Sequence, residues 1–232
     1  MILFDRIGLF AIVLAVIFCR GSGVAAADDL FSRNSDYDYD PPVPGSYPLP
    51  VVKKAAGGAL IDSSGKQTNL SELTHGRITV LSFIYTRCAA PKACPYATNV
   101  LSQLHAVSSK DEALSKNMRL VSVSFDPEHD TPQHLAEYSQ WVREVKSGCE
   151  WRFATAKSRV ELSAILSAYD QAVDRRADAK DPQGPLYHTL RVFLIDRDGR
   201  IRNIYSSGTL DPRLVLADVK TLLMEESRVS NK

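Results

Sequence analysis

The chain has 232 residues, of which 44% are hydrophobic and 24% are charged, and its formal net charge at pH 7 is +1. This length and composition allow one globular domain of ordinary size plus tails, with enough apolar residues to bury a core. A chain with a net charge so close to zero is not expected to carry the basic surface that nucleic-acid binding requires, or the polybasic patch that holds proteins to anionic membranes.

Residues 7–18 near the N-terminus are all apolar apart from one glycine. This run is shorter than the ~20 residues that a membrane-spanning helix needs. With the small residues Ala25 to Ala27 after it, the pattern predicts a secretory signal peptide over residues 1–27. An uncleaved anchor is the alternative. We therefore expect a periplasmic protein, or one that is anchored in the membrane and faces the periplasm.

Cleavage after residue 27 would remove two arginines and one aspartate, which leaves 26 basic and 26 acidic side chains. Residues 28–56 are acidic and rich in proline, with alternating Asp and Tyr over residues 36–40 and five prolines between 41 and 50. Such a segment is typical of an extended, solvated linker. The sequence thus predicts a linker over 28–56, a compact domain over 57–226 and a short tail over 227–232.

The elements of the compact region can be predicted in chain order from β-prone runs and from apolar residues at helical spacing. Strands are predicted at 59–62, 78–85, 119–125, 151–154, 189–196 and 200–205, and helices after Pro95, at 132–145, at 160–169 and at 212–224. The tripeptide at 197–199, Arg-Asp-Gly, predicts a hairpin between the last two strands. Strands that alternate with helices favour parallel pairing, and the hairpin adds an antiparallel edge. The expected fold class is α/β, with a mixed β-sheet flanked by helices on both faces.

Two cysteines, Cys88 and Cys94, lie where a buried strand passes into a helix. Ligands of open α/β sheets bind beyond the carboxyl ends of strands, so this position favours a functional role. Pro95 suits the first turn of a helix and places Cys94 at the helix N-terminus, where free N–H groups and the helix dipole favour a thiolate. Cys88 must lie in the preceding loop. Such a pair can form a disulfide or bind a soft metal, and the spacing leaves both open.

Two thiolates select Cu(I) or Zn(II) but leave either ion short of ligands, so a third ligand is expected. His188 stands out among five histidines, because it precedes a strand and follows a long irregular stretch that could fold over the cysteine pair. We expect surface roles for the remaining histidines, which are His75, His105, His129 and His134. Cys149, just before Trp151, is expected to be a small core residue or an idle thiol.

Four motifs together resemble the Sco/SenC family. They are FIYTRC at 83–88, CP at 94–95, SFDPEHDTP at 124–132 and HT at 188–189. The resemblance covers roughly residues 57–224 in the order of that family, whose members are exported thioredoxin-like copper proteins that support assembly of the binuclear copper site of cytochrome c oxidase. It implies a thioredoxin-like fold, bound copper, and Cys88, Cys94 and His188 as the three copper ligands.

The sequence departs from the family pattern at two positions. Five residues separate the two cysteines, where three are usual, and Tyr187 stands where an aspartate usually precedes the histidine. An aspartate there could orient the imidazole, so both departures bear on how strongly copper is held. Asp126 and Asp130 match the family, although turn formation and helix capping would be enough to explain them.

These observations leave three functions to compare. The first is an exported assembly factor, a metallochaperone rather than an enzyme, that holds Cu(I) and delivers it to, or prepares the thiols of, a respiratory copper enzyme. Its partners would be an apo copper protein such as cytochrome c oxidase subunit II and a periplasmic thiol reductant. The alternative is a thiol-disulfide oxidoreductase in which Cys88 and Cys94 are the catalytic, redox-active pair without copper. A peroxidase is a third reading, supported by Arg87 alone.

Overall fold

The computed structural model describes residue 31 and residues 38–145, 147–178 and 180–230. The predicted signal peptide at 1–27 lies outside the described residues, as do residues 28–30, 32–37, 231 and 232 of the predicted linker and tail. Among the helices that the structure describes, none has the length and apolar character that crossing a bilayer demands.

Ten strands and seven helices make up the described chain. The strands are β1 Lys53–Lys54, β2 Ala59–Asp62, β3 Gln67–Asn69, β4 Ile78–Ile84, β5 Met118–Ser124, β6 Glu150–Thr155, β7 Val173–Arg175, β8 Leu186–His188, β9 Val192–Ile195 and β10 Arg200–Tyr205. The helices are α1 Leu70–Thr74, α2 Cys94–Ser108, α3 Glu112–Asn117, α4 Pro132–Tyr138, α5 Gln140–Glu144, α6 Arg159–Ala168 and α7 Pro212–Ser230.

Eight strands form one mixed sheet in the order β1-β10-β9-β4-β5-β6-β2-β3, and β7 and β8 form a separate two-stranded sheet. Strands β4, β5 and β6 are parallel, whereas β9 and β10 return as the antiparallel hairpin that the sequence predicts. Every residue of β4 is buried, because the strand lies in the centre of the sheet. The prediction of an α/β fold with a mixed sheet flanked by helices is confirmed.

The structure differs from the sequence prediction over 132–145, where one helix was expected and two are found. Thr131 caps α4 through its side chain, and the helix stops at Ser139. The Ser139 hydroxyl donates to the carbonyl of Leu135, which competes with continuation of the helix. Helices α1 and α3 and the short strands β1, β3, β7 and β8 were not predicted, because each is too short to show a hydrophobic period.

The described part of the predicted linker makes specific contacts with the domain. β1 pairs with β10, and Leu49 is buried. The Tyr47 hydroxyl donates to the buried carboxylate of Asp218 at 2.6 Å, and the Gly45 N–H donates to the Thr221 hydroxyl at 2.9 Å. Residues 38–52 carry no helix or strand, yet they lie against α7 through these contacts.

Candidate metal centre

The two cysteines lie at the carboxyl end of β4, in the segment that leads into α2. Residues 85–93, which we call the cysteine loop, connect the strand to the helix. Cys88 is in this loop and Cys94 is the first residue of α2, with Pro95 in the first turn, as the sequence predicts. Both thiols are buried, and neither is in a disulfide. The strand-to-helix junction therefore presents two free sulfurs at one point.

His188 reaches this point from the β7–β8 hairpin, which folds over the cysteine loop. The Ala89 N–H donates to the carbonyl of Gln183 at 3.2 Å, and the Tyr85 hydroxyl donates to the carbonyl of Leu186 at 3.0 Å. Gly184 has a φ of 101°, and a β-carbon at this position would collide with the Tyr85 hydroxyl and the Arg87 carbonyl. The irregular stretch before His188 thus does fold over the cysteines.

The three predicted ligands converge. Nε2 of His188 lies 3.3 Å from Sγ of Cys94 and 3.8 Å from Sγ of Cys88. One donor atom from each of the three residues lies within 4.8 Å of the others. A d¹⁰ ion that binds sulfur at about 2.3 Å and nitrogen at about 2.0 Å, as zinc does, holds such a pair roughly 3.5–3.8 Å apart. The donor set and its spacing therefore fit a small soft cation.

The two thiols differ sharply in acidity. A hydrogen bond from the Cys94 thiol, the largest cause, lowers the pKa of Cys88 to about 4, against the opposing effect of burial, with further help from His188. Burial raises the pKa of Cys94 well above its usual range, and the hydrogen bond to Cys88 adds to this. The sequence predicts a thiolate at Cys94, but the pKa shifts place it at Cys88, so that prediction is wrong. The backbone N–H of Cys94 stabilises the Cys88 thiolate instead.

The imidazole of His188 is held by aromatic packing. Its ring centroid lies 4.8 Å from that of Phe125 and 5.8 Å from that of Tyr85. Nδ1 is buried and has no hydrogen-bond partner among the described residues. Tyr187, at the position where the family usually has an aspartate, is 58% exposed and lies beside the Arg176 guanidinium. Rings, rather than a carboxylate, thus orient this imidazole.

Asp130 anchors the cysteine loop, a role that the sequence reading did not assign. Its carboxylate accepts hydrogen bonds from the N–H and hydroxyl of Thr86, at 3.0 and 2.5 Å, and from the Ser124 hydroxyl at 2.5 Å. The cap of α4 is Thr131, so the helix-capping role considered for Asp130 belongs to its neighbour.

Asp126 fixes the next residue of the loop. Its carboxylate is buried, 2.6 Å from the Arg87 guanidinium and 3.4 Å from that of Arg159. Two carboxylates that follow β5 therefore hold the two residues preceding Cys88. The motif that contains them was the only sequence signal for these contacts.

The remaining histidines and Cys149 lie away from the sulfurs. His105 is buried beside Trp151, so the expectation of a surface role is wrong there. His75 is exposed and its Nδ1 lies 2.7 Å from the carbonyl of Ser71. Cys149 is buried in the core, and burial raises its pKa to about 11. These residues add no ligand to the centre.

A small cleft opens beside the three ligands. Its volume is about 460 Å³, and its walls include Cys88 and His188 together with Lys92, Arg176 and Tyr187. Cys94 does not line this cleft, so a molecule approaching from solvent meets the Cys88 sulfur and the imidazole first.

The mixed sheet defines a thioredoxin-like protein, and the Cys-Cys-His cluster at its strand-to-helix junction is a group that could hold a soft metal. Residues 56–224 match the family model described as SCO1/SenC. The chain belongs to the SCO1/SenC family, and the resemblance given by the sequence motifs is confirmed.

Individual relatives agree with this assignment. The chain is 26% identical over 161 residues to a Bacillus subtilis protein named "SCO1 protein homolog", covering 69% of this chain and 78% of the relative. A solved structure of Bradyrhizobium japonicum ScoI with copper bound superposes with a TM-score of 0.52 at 23% identity, over 71% of this chain and 97% of the other.

A second solved structure is BsSco, described as a member of the Sco family of cytochrome c oxidase assembly proteins and studied for a disulfide switch. It superposes with a TM-score of 0.55 at 22% identity, over 74% of this chain and 95% of its own. At these identities the two structures establish the shared fold alone.

Proposed function

We propose that this chain is an exported copper-binding assembly factor that holds Cu(I) between Cys88, Cys94 and His188. The observation that carries the proposal is the convergence of two free sulfurs and Nε2 of His188 within 4.8 Å. Thiolates and imidazole are the ligands that Cu(I) prefers among protein groups. Membership of the SCO1/SenC family and the copper bound by the Bradyrhizobium japonicum relative support the same ion.

The three ligands contribute to copper binding in different ways. Cys88 supplies a thiolate at neutral pH because its pKa is lowered to about 4. Cys94 keeps its proton in the reduced protein. Binding of Cu(I) to the Cys94 sulfur therefore releases that proton to solvent or to the protein that delivers the copper. His188 adds the third ligand, fixed by the rings of Phe125 and Tyr85 rather than by a carboxylate.

Cu(I) leaves the site when ligands from another protein replace Cys88, Cys94 and His188. The cleft admits a donor group from another protein to Cys88 and His188, whereas Cys94 lies behind them, nearly buried. An incoming thiolate or imidazole would replace the outer ligands first and the inner sulfur last. We infer that the client is an apo copper protein such as cytochrome c oxidase subunit II, since BsSco belongs to a family of oxidase assembly proteins.

The N-terminal sequence supports a location outside the cytoplasm. The apolar run at 7–18 and the alanines at 25–27 support export with cleavage after residue 27, and a membrane anchor is the alternative. An oxidising compartment would join Cys88 and Cys94 in a disulfide. A periplasmic thiol reductant must then supply two electrons before copper can bind, and one proton is taken up by Cys94 because Cys88 remains a thiolate. We propose a connecting segment at 28–56 that packs on the domain at 57–226 through Tyr47 and Leu49, and a tail at 227–232 whose first residues continue α7.

The test is an anaerobic competition titration of the reduced protein with Cu(I) against a chromophoric chelator. We expect one tightly bound ion, and a loss of at least tenfold in affinity in Cys88→Ala, Cys94→Ala and His188→Ala. Cys149→Ala is the matched control, because it removes a buried thiol outside the centre. Wild-type affinity in either Cys88→Ala or Cys94→Ala would rule the proposal out.

A second candidate is a thiol-disulfide oxidoreductase that acts on exported proteins without copper. The low pKa of Cys88, next to a second thiol, favours it, because thiolates attack disulfides. His188→Ala separates the two functions. An oxidoreductase would keep most of its thiol-exchange rate in this variant, whereas an assembly factor would lose copper affinity and the ability to load an apo client domain.

A further inference from the structure

A second group of metal-ligating side chains lies outside the Cys-Cys-His centre. One donor atom each from His129, Asp130 and His134 falls within 4.8 Å of the other two. The two imidazole centroids are 4.7 Å apart, with the rings inclined at 61°. His129 is exposed, His134 is half-buried and Asp130 is fully buried. Solvent therefore reaches the group from the side of the imidazoles, and the carboxylate lies beneath them.

The local backbone brings these residues together. After β5, the N–H groups of His129 and Asp130 both donate to the carbonyl of Asp126, at 3.0 and 2.8 Å, which closes a tight turn. The side chain of Thr131 then accepts from the N–H of His134 at 3.2 Å and begins α4. His134 is therefore placed beside the turn by a helix cap, and the arrangement needs no rearrangement of the backbone.

The carboxylate of Asp130 keeps capacity for a cation. A carboxylate offers about four lone-pair sites. Oδ2 of Asp130 accepts from the Thr86 N–H and the Ser124 hydroxyl, whereas Oδ1 accepts only from the Thr86 hydroxyl. One site on Oδ1 therefore remains, next to the two imidazoles.

The tautomer of His134 follows from its neighbour. The single hydroxyl proton of Thr86 goes to Oδ1 of Asp130, at 2.5 Å, so Thr86 must accept at its oxygen from Nε2 of His134, at 3.1 Å. Nδ1 of a neutral His134 then carries the free lone pair. An ion bound through Nδ1 keeps this hydrogen bond as support for the ligand, and one bound through Nε2 replaces it.

We propose that His129, Asp130 and His134 form a second cation site, which takes a divalent first-row ion and holds Cu²⁺ most tightly. Two imidazoles and one carboxylate suit borderline ions, and affinity among them generally rises to Cu²⁺. Neither ligand set shares a residue with the other. The thiolate centre selects the softer Cu(I), so the two sites differ in the oxidation state that they prefer.

The test uses the full chain with Cys88→Ala and Cys94→Ala combined, so that no thiolate competes at the first centre. Cu²⁺ alone is titrated against a competing chelator, and electron paramagnetic resonance reports the number of coordinated nitrogens. We expect one equivalent with coupling to two nitrogens. His129→Ala and His134→Gln should each weaken binding by tenfold or more, and glutamine can still donate to Thr86, which keeps the turn folded.

His75→Ala and His188→Ala are the matched controls, because both remove an imidazole elsewhere, and we expect unchanged affinity in both. The proposal is overturned if His129→Ala and His134→Gln bind Cu²⁺ as tightly as their parent, or if His188→Ala alone loses the ion. Because the thiols are absent throughout, neither outcome affects the case for Cu(I) at the first centre.

Discussion

The two thiols of the centre, although neighbours, are set for different protonation states. Cys88 accepts from the Cys94 thiol and from backbone N–H groups, whereas Cys94 is enclosed by the fold. A lowered pKa favours the charged form, so Cys88 is the residue that carries the thiolate in the folded, reduced protein near neutral pH. The reduced site therefore enters any reaction with one thiolate already formed.

This distribution predicts an unusual alkylation profile. The rate of Cys88 modification by iodoacetamide, followed by mass spectrometry, should stay nearly constant from pH 8 to pH 5 and fall only near pH 4. Cys94→Ala removes the largest cause of the lowered pKa, so the rate at pH 5 should drop while the rate at pH 9 stays the same. Cys149→Ala should keep the original profile. A rate that falls tenfold per pH unit below pH 8 in the parent protein would show that the pKa of Cys88 is not lowered.

The sequence predicted the positions of the site residues better than their chemistry. Pro95 placed Cys94 at the helix N-terminus, because proline restricts its predecessor and suits the first helical turn. The direction in which the Cys94 N–H points depends on how the cysteine loop folds, which is set by contacts with Asp126 and Asp130 some 40 residues away in sequence. Single-sequence patterns do not report such contacts.

At the scale of elements, the β7–β8 hairpin carries His188 and depends on one glycine. A β-carbon at Gly184 would lie 2.7 Å from the Arg87 carbonyl and would collide with the Tyr85 hydroxyl. Gly184→Ala should therefore lift the hairpin away from the cysteine loop and weaken Cu(I) binding by tenfold or more. The measurement is the anaerobic Cu(I) competition titration.

Gly65→Ala is a matched control for this substitution. Gly65 also has a positive φ, of 84°, but nothing lies within 4 Å of its added β-carbon. Left-handed backbone should destabilise both variants by about 1 kcal/mol in urea unfolding, and the collision should destabilise Gly184→Ala further. Only Gly184→Ala should lose copper affinity, and equal losses in the two variants would show that hairpin placement is irrelevant.

The turn after β5 is a second element that supports the site. Asp126→Asn removes the charge that pairs with Arg87 and Arg159, and we expect the free energy of unfolding to fall by about 2 kcal/mol. Asp198→Asn removes a carboxylate that is 68% exposed in its ion pair with Arg200, so it should change stability by less than about 1 kcal/mol. Urea denaturation compares them, and equal midpoints would contradict a supporting role for Asp126.

Elements with strong local signals were predicted from the sequence, and short ones were not. Strands β4 and β5 show as buried apolar runs, and Thr131 with Pro132 marks the start of α4. β7 and β8 have three residues each, and their order comes from packing on the cysteine loop rather than from propensity. The hairpin that positions His188 was thus visible only as an irregular stretch.

At the scale of the whole molecule, the segment before the predicted domain boundary contributes to the fold. Tyr47 donates to Asp218, and β1 adds an edge strand to the sheet. A chain that begins at residue 57 should therefore unfold at a lower temperature than one that begins at residue 38, by several degrees, in calorimetry. Identical midpoints would support a boundary at 57 with a freely solvated linker before it.

The topology of the sheet was predicted in outline. Alternating strands and helices indicated the parallel centre, and the Arg-Asp-Gly turn indicated the antiparallel edge. The placement of β1 beside β10 and of β2 beside β6 was not predicted, because both pairings join segments that are distant in sequence. Family resemblance supplied the thioredoxin-like arrangement that propensity alone left open.

The claim that Cys88, Cys94 and His188 form one copper centre is tested most directly by X-ray absorption at the copper edge of the Cu(I)-loaded, reduced protein. We expect two sulfurs and one nitrogen bound to copper, and the loss of the nitrogen alone in His188→Ala. A shell without sulfur, or an unchanged shell in His188→Ala, would contradict it.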